Sequence, residues 1–170
     1  MIEDAVTRLH LLAEQRSIGV ISEPLQTNAT MLAACWTIVG KVYVLRHILG
    51  KLVTRGRMPE IDAFLDQFEC ATHMRNRLDH LTTQTPNILS SKQETSPFFG
   101  ALCYCIWNQA SARTEDGLNE ISYQLVVISG GPMPTKQALR LDAAVTANPI
   151  CYPISHYKFY AGEHMLDIDA

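Results

Sequence analysis

The sequence predicts an α+β fold, an N-terminal helical bundle followed by a small, mostly antiparallel β-sheet. Apolar residues recur every three or four positions through the first half, the signature of helices with one face in a core. The second half instead carries runs of β-branched and aromatic residues separated by turn-forming segments. The change of character falls near Pro86. It separates a helical region over 1–90 from a strand-rich region over 91–170, which are expected to pack together as one compact domain. At 170 residues, 47% hydrophobic and 18% charged, the chain has enough apolar material for one core and lies outside the range of disordered or collagen-like sequences.

The first helix is predicted over 2–16. Ala5, Val6, Leu9, Leu12 and Ala13 form its apolar stripe, and Glu3 and Asp4 sit in the first turn, where the positive end of the helix dipole favours them. A long second helix is expected to start at a cap on Asn28 or Thr30 and to reach about Arg55. It carries two stripes, one through Cys35, Ile38, Val42, Leu45, Leu49 and Leu52 and another through Leu32, Trp36, Val39 and Tyr43, so it should be covered on more than one side. Gly56 ends that helix, and Pro59, tolerated in a first turn, opens a third predicted over 59–83 with Ile61, Phe64, Leu65, Phe68, Ala71 and Leu78 inward. The polar stretch TQTPNILSSKQETSP reads as a connecting loop.

Strands are expected over 98–107 and 121–129, joined by the polar segment NQASARTEDGLNE, with Gly130-Gly131-Pro132 as a turn after the second. SHYKFY and EHMLDI form a terminal hairpin around Ala161-Gly162. Residues 132–149 fit neither pattern.

Five scattered cysteines and an N-terminus without signal-peptide character point to a reducing, cytoplasmic setting. The most apolar run, Met31 to Leu45, is interrupted by Lys41 and followed by Arg46 and His47, so it reads as a buried helix and not as a membrane span. The net charge of −3 excludes a globally basic nucleic-acid coat. Yet between Pro24 and Pro59 stand Lys41, Arg46, Lys51, Arg55 and Arg57 with no acidic residue. His47, Lys51 and Arg55 are spaced one turn apart, a candidate track for RNA phosphates; the alternative is that they complement the negative C-terminal end of their helix.

The third predicted helix carries MRNRLDHL, residues 74–81. Asn76 and His80 are one turn apart and adjacent on the helical wheel. Arg75 falls in line with Phe68, Ala71 and Leu78, where a guanidinium needs a partner or an opening. It could pair with Asp79, four residues on. It could instead face a second copy of the chain, bringing two Arg75, two Asn76 and two His80 into one cleft across a twofold axis.

The string Arg75-Asn76-Arg77-Leu78-Asp79-His80 resembles the R-(N/D/H)-x-x-x-H signature of HEPN domains, helical bundles that commonly dimerise and include many metal-independent ribonucleases of toxin and phage-defence systems. The resemblance covers about residues 1–90. It implies that Arg75 and His80 carry catalysis, that Asn76 orients or contacts the substrate, that no cofactor is needed, and that the partners are a second copy, RNA and a protein antitoxin. The chemistry suits these residue types. Attack of a 2′-hydroxyl on the adjacent phosphate needs a proton acceptor, a proton donor and a cation, roles open to two imidazoles and a guanidinium. The alternatives are a non-catalytic module that dimerises through this helix and binds a protein through its sheet, and a purely structural domain in which the string is accidental.

Competing chemistries are weaker. Asp66, Cys70, His73 and His80 share a side of the helix, but His80 lies about 10 Å beyond His73, too far to complete one metal site. Cys103 and Cys105 should point to the same strand face as buried thiols. His156 and His164 stand on opposite arms of the terminal hairpin with no visible partner set. There is no phosphate-binding glycine loop followed by lysine, no G-x-S-x-G and no HExxH.

Overall fold

The structure, a computed structural model, describes residues 2–17, 24–53, 58–90, 99–113, 119–131 and 154–169. It is α+β: four helices precede a four-stranded antiparallel sheet.

Helix α1 (Ile2–Ser17) buries Ala5, Leu9 and Ala13 at a strict four-residue spacing. Helix α2 (Pro24–Val53) begins a turn earlier than the expected caps, because Pro24 itself suits a first helical turn. Asn28 does not cap. Its side-chain oxygen accepts a hydrogen bond from the Arg16 guanidinium, tying the end of α1 to the start of α2. Thr30 turns its hydroxyl back to the Gln26 carbonyl, 2.9 Å away.

The single helix expected over 59–83 is two helices, α3 (Pro59–Gln67) and α4 (Glu69–Ser90). Phe68 interrupts them with φ −105° and ψ 22°. The break frees the Leu65 carbonyl, and Arg46 of α2 donates to it from Nε at 3.0 Å and from Nη2 at 2.7 Å, while its Nη1 reaches the Thr72 hydroxyl. No glycine or proline marks this break in the sequence; a guanidinium from another helix sustains it. Helix α4 also runs past Pro86 to Ser90, overturning the expected loop start, although Pro86 has no N–H for the Thr82 carbonyl.

Strands β1 (Ala101–Arg113), β2 (Asn119–Ser129), β3 (Ile154–Ala161) and β4 (His164–Asp167) lie in the order β2-β1-β3-β4. β1 and β2 extend into the polar segment expected to be a connection, pairing from Ala101–Ser129 to Arg113–Asn119 with a shift between Gln109 and Arg113. The terminal hairpin turns one residue later than expected: Ala161 pairs with His164, so Gly162 and Glu163 form the turn. Gly162 has φ +66°, which a glycine adopts without strain. Gly100, φ +84°, is similarly required, since a Cβ there would lie 2.5 Å from the Phe159 ring.

Helices and sheet share one hydrophobic cluster, including Leu9, Met31, Cys35 and Met74 from the helices and Leu102, Tyr104, Tyr157, Phe159 and Leu166 from the strands. Trp36 locks the layers together by donating from Nε1 to the Phe99 carbonyl at 2.8 Å and meeting the Phe159 ring edge-on at 5.1 Å. The α2 stripes turn Leu32, Cys35, Ile38, Val39 and Val42 into this core, whereas Leu52, expected on an inward stripe, is 44% exposed. A third α2 face, with Val44, Ile48 and Leu52, is exposed. By length and composition alone α2 could cross a membrane, further than the sequence estimate allowed, but part of it is buried in this fold.

Candidate functional site

On α4 the core-facing line runs through Ala71 and Met74, both fully buried, and not through Arg75. Because Phe68 interrupts the helix, the phase carried over from Phe64 and Phe68 does not hold, and Met74 takes the inward position. Arg75 sits on the flank with 38% of its side chain exposed, its Nη2 2.9 Å from Asp79 Oδ1. The intrahelical pair therefore forms. The apolar stripe that would have faced a second copy is occupied by the chain's own core. Asn76 and His80 lie on the exposed face, one turn apart, together with His73.

Arg46, His47 and Lys51 of α2 line a pocket of about 370 Å³ together with Tyr43, Gly50, Leu65 and Thr72. Tyr43 and His47 stack at 6.4 Å with an interplanar angle of 20°. His47 and Lys51 are exposed, whereas Arg46 is half-buried and held by Leu65 and Thr72. Arg55, the third member of the expected track, lies outside the described residues. Thr72 is the α4 wall of this pocket, and Arg75 and Asn76 follow it by three and four residues on the same helix. The pocket and the first half of the motif thus share one surface, while His80 stands about 12 Å further along the helix axis than Thr72.

Two residues at this seam were not singled out from the sequence. Tyr43 could have been found from its four-residue spacing to His47. Thr72 could not, since its role depends on Arg46 reaching across from α2. Arg46 itself was visible only as one of five cations.

The other chemistry-bearing residues divide differently than their spacing suggested. His73 stacks on His164, with ring centroids at 4.7 Å and 12° between planes, joining α4 to β4. His164 pairs with Ala161 across the hairpin, which places His156 well away from it on β3. Arg77 lies over the hairpin turn, its Nη1 3.0 Å from where a Cβ on Gly162 would stand. Among the described residues no group of three or more His, Cys, Asp or Glu is placed to hold a metal ion. Cys103 and Cys105 are buried free thiols. Burial, then the neighbouring Cys105, pushes the Cys103 thiol from its ordinary value of 9.0 up to about 12, the opposite of what a nucleophile needs.

A second polar cluster lies between α1 and the sheet. His10 stacks on Tyr157 at 4.5 Å, and Tyr157 stacks on Tyr104 at 5.4 Å. Asp169 accepts the Tyr157 backbone N–H at 3.0 Å and approaches His10 Nε2 at 3.8 Å. Burial pushes both phenols above their ordinary range, and among the described residues the Tyr104 hydroxyl has no hydrogen-bond partner. The chain matches no protein-family model, no curated protein and no solved structure.

Proposed function

We propose that the chain is a cytoplasmic, homodimeric, metal-independent endoribonuclease of the HEPN type, in a toxin or phage-defence role, that takes single-stranded RNA along the α2–α4 seam. The supporting observation is the continuity of the cationic pocket with the motif: Thr72 lines the pocket and stands one turn before Arg75 and Asn76. His47 and Lys51 would hold the RNA backbone, beside Arg46, which fixes the pocket wall through Leu65 and Thr72. Arg75 exchanges Asp79 for a phosphate at small cost, since an exposed i,i+4 pair contributes only a few tenths of a kcal/mol. Asn76 orients the phosphate or an imidazole. His80 accepts the 2′-hydroxyl proton, and His80 of a second protomer protonates the leaving 5′-oxygen, which leaves a cyclic phosphate.

Purified protein should cleave single-stranded RNA in EDTA and leave cyclic phosphate ends, and His80→Ala should lower the rate by about 10² to 10⁴ with the fold intact. His47→Ala with Lys51→Ala should weaken binding and flatten its salt dependence. A second reading, a non-catalytic interaction module, is favoured by the Arg75–Asp79 pair, which occupies the guanidinium the chemistry would use. Intact RNA after incubation with folded wild-type dimer would select it.

A further inference from the structure

The pocket between α2 and the α3–α4 break has two unlike walls. One is aromatic. Tyr43 and His47, four residues apart on α2, hold their rings within 20° of parallel with centroids 6.4 Å apart. That separation is near the upper end of the range of about 4.5–7 Å over which aromatic pairs interact, so the pair leaves π surface for a third ring. The other wall is polar and is fixed by Arg46, whose guanidinium donates to the Leu65 carbonyl and to the Thr72 hydroxyl oxygen. Both partners are neutral, so the half-buried guanidinium brings a positive charge that no carboxylate among the described lining residues balances. Thr30, Thr37 and Thr83 donate their hydroxyls to carbonyls of their own helices. Thr72 differs. Its oxygen accepts from Arg46, and among the described residues its O–H reaches no acceptor, which leaves a polarised donor on the pocket wall. At Gly50 a Cβ would meet nothing within 4 Å, so the pocket is open on that side.

We propose that this pocket binds one nucleotide, its base stacked on Tyr43 and His47 and its phosphate held by the Thr72 O–H in the field of Arg46. The volume of about 370 Å³ lies at the lower end of the range of roughly 300–1,000 Å³ for small-molecule sites, which suits one base with its sugar phosphate. Near-parallel ring faces accept any planar heteroaromatic ring, because every base has a π face. The uncompensated guanidinium and the Thr72 donor favour an anion. A neutral flat molecule would use only the aromatic wall, and a bare phosphate only the polar one. A nucleotide uses both. The same chemistry is offered by a free mononucleotide and by one unit of single-stranded RNA. In the second case the inference rests on the RNA reading of the preceding subsection and adds to it that a base, and not the backbone alone, fixes the strand one turn before Arg75.

The test is isothermal titration calorimetry on the full chain with adenosine monophosphate (AMP), adenosine and inorganic phosphate as separate probes. AMP should bind with submillimolar affinity, and each of the two fragments about tenfold more weakly or worse. Tyr43→Leu should weaken AMP about tenfold, the loss of one base–aromatic stack, whereas Tyr43→Phe should stay within about twofold of wild type. Thr72→Val should weaken AMP several-fold and leave adenosine unchanged. Gly50→Leu, which grows into open space and should leave circular dichroism unchanged, should abolish binding. No AMP binding at millimolar concentration, binding no tighter than that of phosphate, or binding indifferent to both Tyr43→Leu and Gly50→Leu would overturn the inference. A single-stranded oligonucleotide that displaces AMP would assign the pocket to a unit of RNA; AMP binding that no oligonucleotide displaces would assign it to a free nucleotide. The two readings fail separately. AMP binding without RNA cleavage would leave the pocket standing and remove the ribonuclease, whereas cleavage by a wild type that does not bind AMP would do the reverse.

Discussion

The two long helices, α2 and α4, use their outer faces in opposite ways. α2 is buried through Cys35, Ile38, Val39 and Val42, exposes an apolar row at Val44, Ile48 and Leu52, and turns Arg46, His47 and Lys51 to the cationic pocket. α4 meets the core at Ala71 and Met74, and among the described residues its outer face carries His73, Asn76, Asp79 and His80. A polar outer face can remain in water and meet a polar ligand. An apolar one loses free energy at every exposed position and is relieved by association. The difference leaves α2 with an uncovered apolar row and α4 with polar side chains open to solvent.

The largest test of this contrast is on α2. Ile38→Ala, on the buried face, should cost about 2–5 kcal/mol in urea unfolding, whereas Ile48→Ala, on the exposed face, should change monomer stability by under about 0.5 kcal/mol. Equal losses would mean that the outer face is covered within the chain. The next effect concerns the Phe68 break, which sets the phase of α4. Arg46→Met removes both donors to the Leu65 carbonyl and should destabilise by about 1–3 kcal/mol. Arg46→Lys should recover only part of that, because an ammonium lacks the planar fork.

Alkaline unfolding sharpens the comparison with the sheet. The Cys103 thiol is raised in the folded state, so it contributes fully below pH 9, where both states are protonated, and its contribution is lost as pH rises from 9 toward about 12. Such a group contributes a fall of about 1.4 kcal/mol per pH unit in that window, and Cys103→Ala should reduce the measured slope by that amount. Tyr104→Phe removes a buried hydroxyl that has no partner among the described residues and should be neutral or stabilise by about 1 kcal/mol. The smallest effect is on α4's surface. Asp79→Asn should change stability by only a few tenths of a kcal/mol while freeing Arg75 and tightening RNA binding, measured by fluorescence anisotropy.

Much of the fold was legible along the chain. The four-residue rhythm of Ala5, Leu9 and Ala13 predicts α1 to within a residue, and FFGALCYCIW and ISYQLVVIS predict the β1–β2 pair. Both are local signals, in which side-chain pattern and backbone period agree. The errors occur where a distant group decides. The Phe68 interruption depends on Arg46 from α2, and the hairpin turn shifts by one residue so that glycine occupies the positive-φ position. Asn28 and Thr30 look like caps by type, but one serves the Arg16 guanidinium and the other its own helix.

By itself the sequence determined the α+β division, the inward stripe of α1, those of α2 as far as Val42, the cation-only segment of α2 and the one-turn spacing of Asn76 and His80. These follow from composition and from fixed helical and strand periods. Only the tertiary structure decided that Arg75 lies on a flank beside Asp79, that Met74 takes its inward place, and that Thr72 joins the cationic pocket to the motif. It also decided which apolar face of α2 stays uncovered. Periodicity specifies which residues share a face, but only packing specifies what that face meets, because burial is a property of neighbours brought from elsewhere in the chain.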